Sequence, residues 1–256
     1  MIGVRAGQPG RFAELPSAEA AKRHARPLVT SPARLVRSGG PVPGWAVVSA
    51  ALSPILITAG WLVADALQPA SYNPVRKTVS VLAGHAGTDR WIMTSALFLV
   101  GCCNLATAAG LTGVRAPARI LLVVAGLSSI GIAASPEPVV GSTPQHLAWT
   151  SLGEVTIAVW PAFTSRRGSS QPLILSIRGA AVVTAVFIAL LCWLVIQTQG
   201  GSVLGLAERL ASSIQITWPF VVALALRRSL GRPPQGLSGK QPQPVAAGVR
   251  PGRREP

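Results

Sequence analysis

Ionisable residues are scarce between the basic ends of this 256-residue chain, and most of them fall close to the ends of apolar runs. From residue 45 to 226 the acidic residues are Asp65, Asp89, Glu137, Glu154 and Glu208, and the histidines are His85 and His146. His146, Thr150 and Glu154 recur at i, i+4 and i+8, which places them on one stripe of a helix. Glu154 then lies ~12 Å further along the axis than His146. A carboxylate inside an apolar helix must be paired, protonated or functional. Glu208 and Arg209 are adjacent. The Glu suits a helix N-terminus and the Arg does not, so Arg209 requires an anionic partner. Asp65, Glu137 or a lipid phosphate would serve. Asp65, His85, Asp89 and His146 together offer the nitrogen and oxygen ligands of a divalent metal with an open position for water. No His-x-x-x-His or His-x-x-Glu spacing accompanies them.

These residues must be positioned by apolar elements. The chain is 49% hydrophobic and 12% charged, with a mean hydropathy of +0.46. Ordinary soluble domains carry about 25% charged residues. The composition excludes a soluble globular enzyme, a disordered chain and a disulfide scaffold. Cys102, Cys103 and Cys192 sit inside apolar runs and read as small buried side chains. Six runs approach the ~20 residues that cross ~30 Å of hydrocarbon. They span about 45–67, 91–112, 116–135, 146–163, 176–197 and 206–226. The fold class is therefore all-α: a polytopic integral membrane protein with six transmembrane helices, residues 45–226.

The remaining parts are two basic tails, 1–44 and 227–256, each expected to be disordered. Neither holds an apolar core, and residues 1–44 lack the h-region of a cleavable signal peptide. Six crossings put both tails on one side. With that side cytoplasmic, the inner segments hold 19 Lys/Arg and the outer ones four, a strong positive-inside bias. The formal charge of +15 is concentrated in the tails and lacks interleaved aromatics. Anionic lipid headgroups are the expected partners, and nucleic acid is not. The Arg, Ala, Gly and Pro bias reads as a high-GC bacterial coding sequence, and the localisation as the cell membrane. The seven tryptophans fall near run ends, as interfacial anchors do. Trp160-Pro161 and Trp218-Pro219 recur at equivalent places, as a duplicated hairpin or as two independent kinks, of which the kinks are favoured.

On the expected topology the ionisable residues gather at the outer face. The longest outer loop runs from Gln68 to Arg90 and carries Arg76 and Ser80. Within it "TVSVLAG" reads as a short strand or a surface helix. Arg76, Ser80, His146, Glu154, Glu208 and Arg209 form the candidate outward-facing cluster.

The loop and its flanking helix, "SYNPVRKTVSVLAGHAGTDRWIMTSALFLVGCCNLATAAGL", resemble the domain of unknown function 998 family of bacterial and archaeal membrane proteins. The matching positions are Tyr72, Pro74, Arg76, Thr78, Ser80 and Leu82, then Trp91 at the next helix start. "GSTPQHLAW" matches through His146, and "GLAERLASSIQITWPF" through Glu208 and Arg209. Lys77 departs from the family pattern, where an acidic residue is common, and His85 matches no position in it. The resemblance covers about residues 45–226 and implies a multi-pass helical fold without an assigned activity.

Three functions remain open on these residues. One is a non-enzymatic membrane protein whose polar cluster binds a lipid headgroup, a small ligand or a partner. Another is a metal-dependent lipid hydrolase at the outer leaflet. The third is a small proton-coupled transporter using Glu154. No catalytic motif is present, which favours the first, with no cofactor.

Overall fold

The computed structural model describes residues 41–165 and 172–230. The tails expected at 1–44 and 227–256 fall almost wholly outside these residues. Among the described residues there is no strand. The helices are α1 (Gly44–Ala66), α2 (Val79–Ala83), α3 (Trp91–Gly110), α4 (Ala116–Ala134), α5 (Pro144–Val159), α6 (Ile177–Thr198) and α7 (Leu204–Leu230). Short 3-10 turns cover Trp160–Phe163 and Leu173–Leu175. Five helices are long and apolar enough to cross a membrane: α1, α3, α4, α6 and α7. The sixth expected run is α5, of 16 residues, prolonged by its 3-10 turn.

Helix boundaries follow local chemistry. Thr143 caps α5 by accepting from His146 N–H, and Ser176 caps α6 by accepting from Gly179 N–H. Pro117 lies in the first turn of α4, where its missing N–H is not needed. Arg227 and Arg228, expected in a tail, instead occupy the last turn of α7, where the helix dipole favours cations. The two Trp-Pro pairs behave differently. Pro161 falls in the 3-10 turn that ends α5, whereas Pro219 sits inside α7. Trp160 is not interfacial: it is fully buried, and its indole N–H donates to Ala118 O at 2.7 Å. Trp45 and Trp91 are exposed, as anchors should be. Cys102 and Cys192 face outward rather than into the core.

The helices close a ring. α1, α3, α4, α5, α6 and α7 pack in that order, and α7 returns to α1. Large apolar side chains such as Val48, Leu52, Ile55 and Ile120 point outward. A bilayer accepts this arrangement where water does not. Two apolar clusters hold the ring. One centres on Leu111, Leu122, Trp160 and Leu226, the other on Ile57, Leu82, Met93 and Val100. Glycine permits a close backbone approach between α3 and α4. A Cβ on Gly101 would stand 2.6 Å from the Gly126 carbonyl oxygen, and one on Gly126 would stand 2.9 Å from the Gly101 oxygen. Neither backbone yields without separating the helices. Gly101→Val should therefore lower stability by ~1–3 kcal/mol, read as an earlier thermal unfolding midpoint in detergent. An exposed control, Ile120→Val, should leave that midpoint in place.

Candidate functional site

The loop between α1 and α3 is ordered by short-range turns. Asn73 accepts from Val75 N–H through its side chain, and its carbonyl accepts from Arg76 and Lys77 N–H. Gln68 closes the loop base by donating to Ala64 O and Thr88 O and accepting from Thr88 N–H. "TVSVLAG" supplies the short helix α2. Its Thr78 makes no side-chain cap, and Glu208 on α7 accepts from Val79 N–H instead, at 2.7 Å. The loop thus borrows its cap from a helix 129 residues further along the chain.

Arg209 fixes the other half of the loop. Its Nη1 donates to Pro74 O and Lys77 O, both at 2.8 Å, and to Gly205 O at 3.1 Å. Its Nη2 donates to Asp65 Oδ1 and to the Tyr72 hydroxyl, each at 2.8 Å. The guanidinium carbon stands 5.5 Å from the Trp61 ring centroid. Arg209 is 6% exposed. Its anionic partner is Asp65, rather than Glu137 or a lipid. Gly205 completes the joint, because a Cβ there would overlap the Pro74 and Lys77 carbonyl oxygens. Glu208 and Arg209 therefore hold the loop in place.

His146 makes a second joint. It is 2% exposed, and its Nδ1 donates to Ser135 O at 2.7 Å. That bond fixes the tautomer and leaves Nε2 facing Glu137 Oε1 at 3.5 Å. The Glu137 carbonyl accepts from His85 N–H, tying the α4–α5 connection to the α1–α3 loop. Glu208 lies within Coulombic reach of Glu137, with buried Ser80 beside its carboxylate.

Inside the ring, α1, α3, α4, α5 and α7 surround a cavity of about 100 Å³. Its walls combine Ile, Leu and Val side chains with a polar set of Asn104, Ser129, Thr150, Glu154, Ser212 and Gln215. Ser129 donates to Leu97 O, Ser212 to Glu208 O, and Gln215 Nε2 to Phe187 O. None of these satisfies Glu154. Glu154 Oε2, Thr150 Oγ1 and Gln215 Oε1 are buried without a hydrogen-bond partner among the described residues.

The six residues of the candidate cluster are thus divided. Glu208, Arg209 and Ser80 belong to the loop joint, His146 to the Glu137 joint, and Glu154 to the cavity. Arg76 stands apart, exposed, with no side-chain hydrogen bond or ion pair among the described residues. Asp65, His85, Asp89 and His146 do not converge. Among the described residues no three His, Cys, Asp or Glu side chains come together as a metal group. Asp65 is engaged by Arg209, His146 by Ser135, and His85 and Asp89 are exposed on the loop. Tyr72, Asn104 and Gln215 were missing from that cluster. A lone Asn or Gln in an apolar helix was the available signal for the last two.

Two outcomes test the Arg209 joint. Arg209→Ala strands Asp65 and the loop carbonyls, so stability should fall by ~3–5 kcal/mol. Arg209→Lys should not restore it, because an ammonium cannot reproduce the planar fork. Tyr72 is the chain's single tyrosine, so its phenolate absorbance reports this site alone. Burial pushes its phenol from 10.0 up to about 12, with Asp65 adding to the rise and Arg209 opposing it. The phenolate band should therefore appear near pH 12 in the folded protein. A raised folded value means this contribution to stability is complete below pH 10 and is lost as pH climbs towards 12.

No curated protein and no solved structure matches the chain. A family model described as a protein of unknown function, DUF998, matches residues 51–225. That match takes in α3 to α6 whole and most of α1 and α7, including the loop joint and the cavity. The chain belongs to the DUF998 family of proteins of unknown function.

Proposed function

We propose that this protein crosses the cell membrane six times, with both tails in the cytoplasm, and binds a small ligand in the cavity beside Glu154. The sixth span is α5 with its 3-10 turn. Sixteen α-helical and four 3-10 residues rise about 32 Å, enough for a hydrocarbon core of about 30 Å. The division of 19 Lys/Arg inside against four outside supports the orientation. The α1–α3 loop then lies at the outer face, over the end of the bundle. The basic tails meet anionic headgroups of the inner leaflet.

The observation that carries the ligand reading is the unsatisfied polar set of Glu154, Thr150 and Gln215 around one cavity. Buried polar atoms are normally paired, and three orphaned acceptors around one space mark a place for a donor-bearing occupant. The outer joint supports binding indirectly, by holding a fixed cover of loop and α2. Native mass spectrometry of the detergent-purified chain tests the reading. The wild type should retain a small bound species that Glu154→Leu loses and Arg76→Ala keeps. Equal retention in wild type and Glu154→Leu, or no bound species in the wild type, would overturn it.

A further inference from the structure

The three orphaned atoms differ in what they accept and in what else they do. Gln215 is 0% exposed, and its amide nitrogen donates to Phe187 O at 3.2 Å. A carbonyl cannot donate, so this bond fixes the amide orientation and leaves Oε1, a pure acceptor, unpaired. Glu154 Oε2 is an acceptor when ionised, and Thr150 Oγ1 accepts through a lone pair. Thr150 and Glu154 share one stripe of α5, and Gln215 faces the same cavity from α7.

The surrounding charges are one-sided. Among the described residues no Lys, Arg or His lines the cavity. From α7, the Glu208 carboxylate is turned to Val79 N–H and does not line the cavity. Arg209, beside it, spends its Nη1 and Nη2 on Asp65, Tyr72 and the backbone. From α4, Arg119 is turned to the Ala108 and Ala109 carbonyls, and neither it nor Arg115 reaches the lining. α6, with Arg178 and Cys192, and the 3-10 turn contribute no lining residue. Of α1 and α3, Asp65 is paired with Arg209, and Cys102 and Cys103 lie outside the lining. Among the described residues ionised Glu154 has no counter-ion.

We infer, resting on the ligand-binding reading, that the occupant is a small primary alkylammonium ion, bound in exchange for the proton of Glu154. An R–NH3+ group has three donors, and the cavity offers three unpaired acceptors, one of them anionic. The Ile, Leu and Val walls accept the alkyl part. An apolar cavity of about 150 Å³ takes benzene, so a chain of about two or three carbons suits this one. The Glu154 O–H bond breaks as the ammonium arrives, and the released proton passes to the buffer.

Titration calorimetry on the full chain in detergent, in two buffers of different ionisation heat, tests this. The probes are ethylammonium chloride, acetamide as a neutral molecule of similar size, and sodium chloride. Ethylammonium should bind with proton release, and more tightly as pH rises and Glu154 ionises. Glu154→Gln should weaken it about tenfold to a hundredfold and remove the proton release. Gln215→Leu should weaken it while keeping the release, and both variants should hold wild-type unfolding midpoints. If Glu154→Gln does not fold, loss of affinity in Gln215→Leu and the pH dependence of the wild type decide the matter. Binding of acetamide without ethylammonium would overturn the ammonium assignment and leave the ligand cavity standing. Sodium binding without ethylammonium, or ethylammonium binding without pH dependence, would also overturn it. Silence from all three probes would overturn it together with the ligand reading.

Discussion

A buried guanidinium is the constraint around which the rest of this structure is arranged. Removing a cation from water costs several kcal/mol unless its donors are satisfied. Through Nη1 and Nη2, Arg209 offsets most of that cost with a carboxylate from α1, a phenol, two loop carbonyls and a carbonyl of its own helix, while Nε is buried without a partner among the described residues. The pairing converts a 23-residue connection into a structural part of the bundle. Glu208 does the same for the next stretch by capping α2. Tyr72, the bend at Asn73 and the start of α7 are thereby referred to a single point.

Below that point the bundle is shaped by small residues. Gly101 and Gly126 bring two backbones together, and Gly60 meets Ala96 across α1 and α3. Gly131 and Gly153 play the same part between α4 and α5, against Trp149 and Ser128. The cavity lies where the ring is widest in polar side chains and poorest in partners for them. Apolar clusters lie at both ends of the bundle, so the polar set sits between them, in a region of low dielectric where an unmet acceptor is costly.

Much of this was legible in the sequence. Apolar run length located all six long helices to within a few residues, since hydropathy and rise per residue act locally. The Glu208-Arg209 pair announced itself through the misfit of Arg with the helix dipole, and that misfit correctly demanded an anion. Which anion could not be read, because Asp65 lies 144 residues away and only packing brings it near. Trp160 looked interfacial by position but is buried, since where α5 ends depends on Pro161 and on the contact with Ala118. The proposed metal set shared residue types and not location. Four residues scattered over three segments carry no information about distance. The cavity was half visible: Glu154 stood out as a lone carboxylate, while the orphaned state of Gln215 depends on its bond to Phe187.

α7 has a further consequence. Glu208, Ser212 and Gln215 fall at i, i+4 and i+7, a single stripe facing α2 and then the cavity, while Arg209 projects one step round the helix towards α1 and the loop. One rigid helix of 27 residues therefore sets the azimuth of both the outer cover and the inner chamber. A single residue gained or lost between Arg209 and Ser212 would turn one relative to the other by about 100°. The cover and the chamber are a matched pair in register, and neither can drift in evolution without the other being re-aimed.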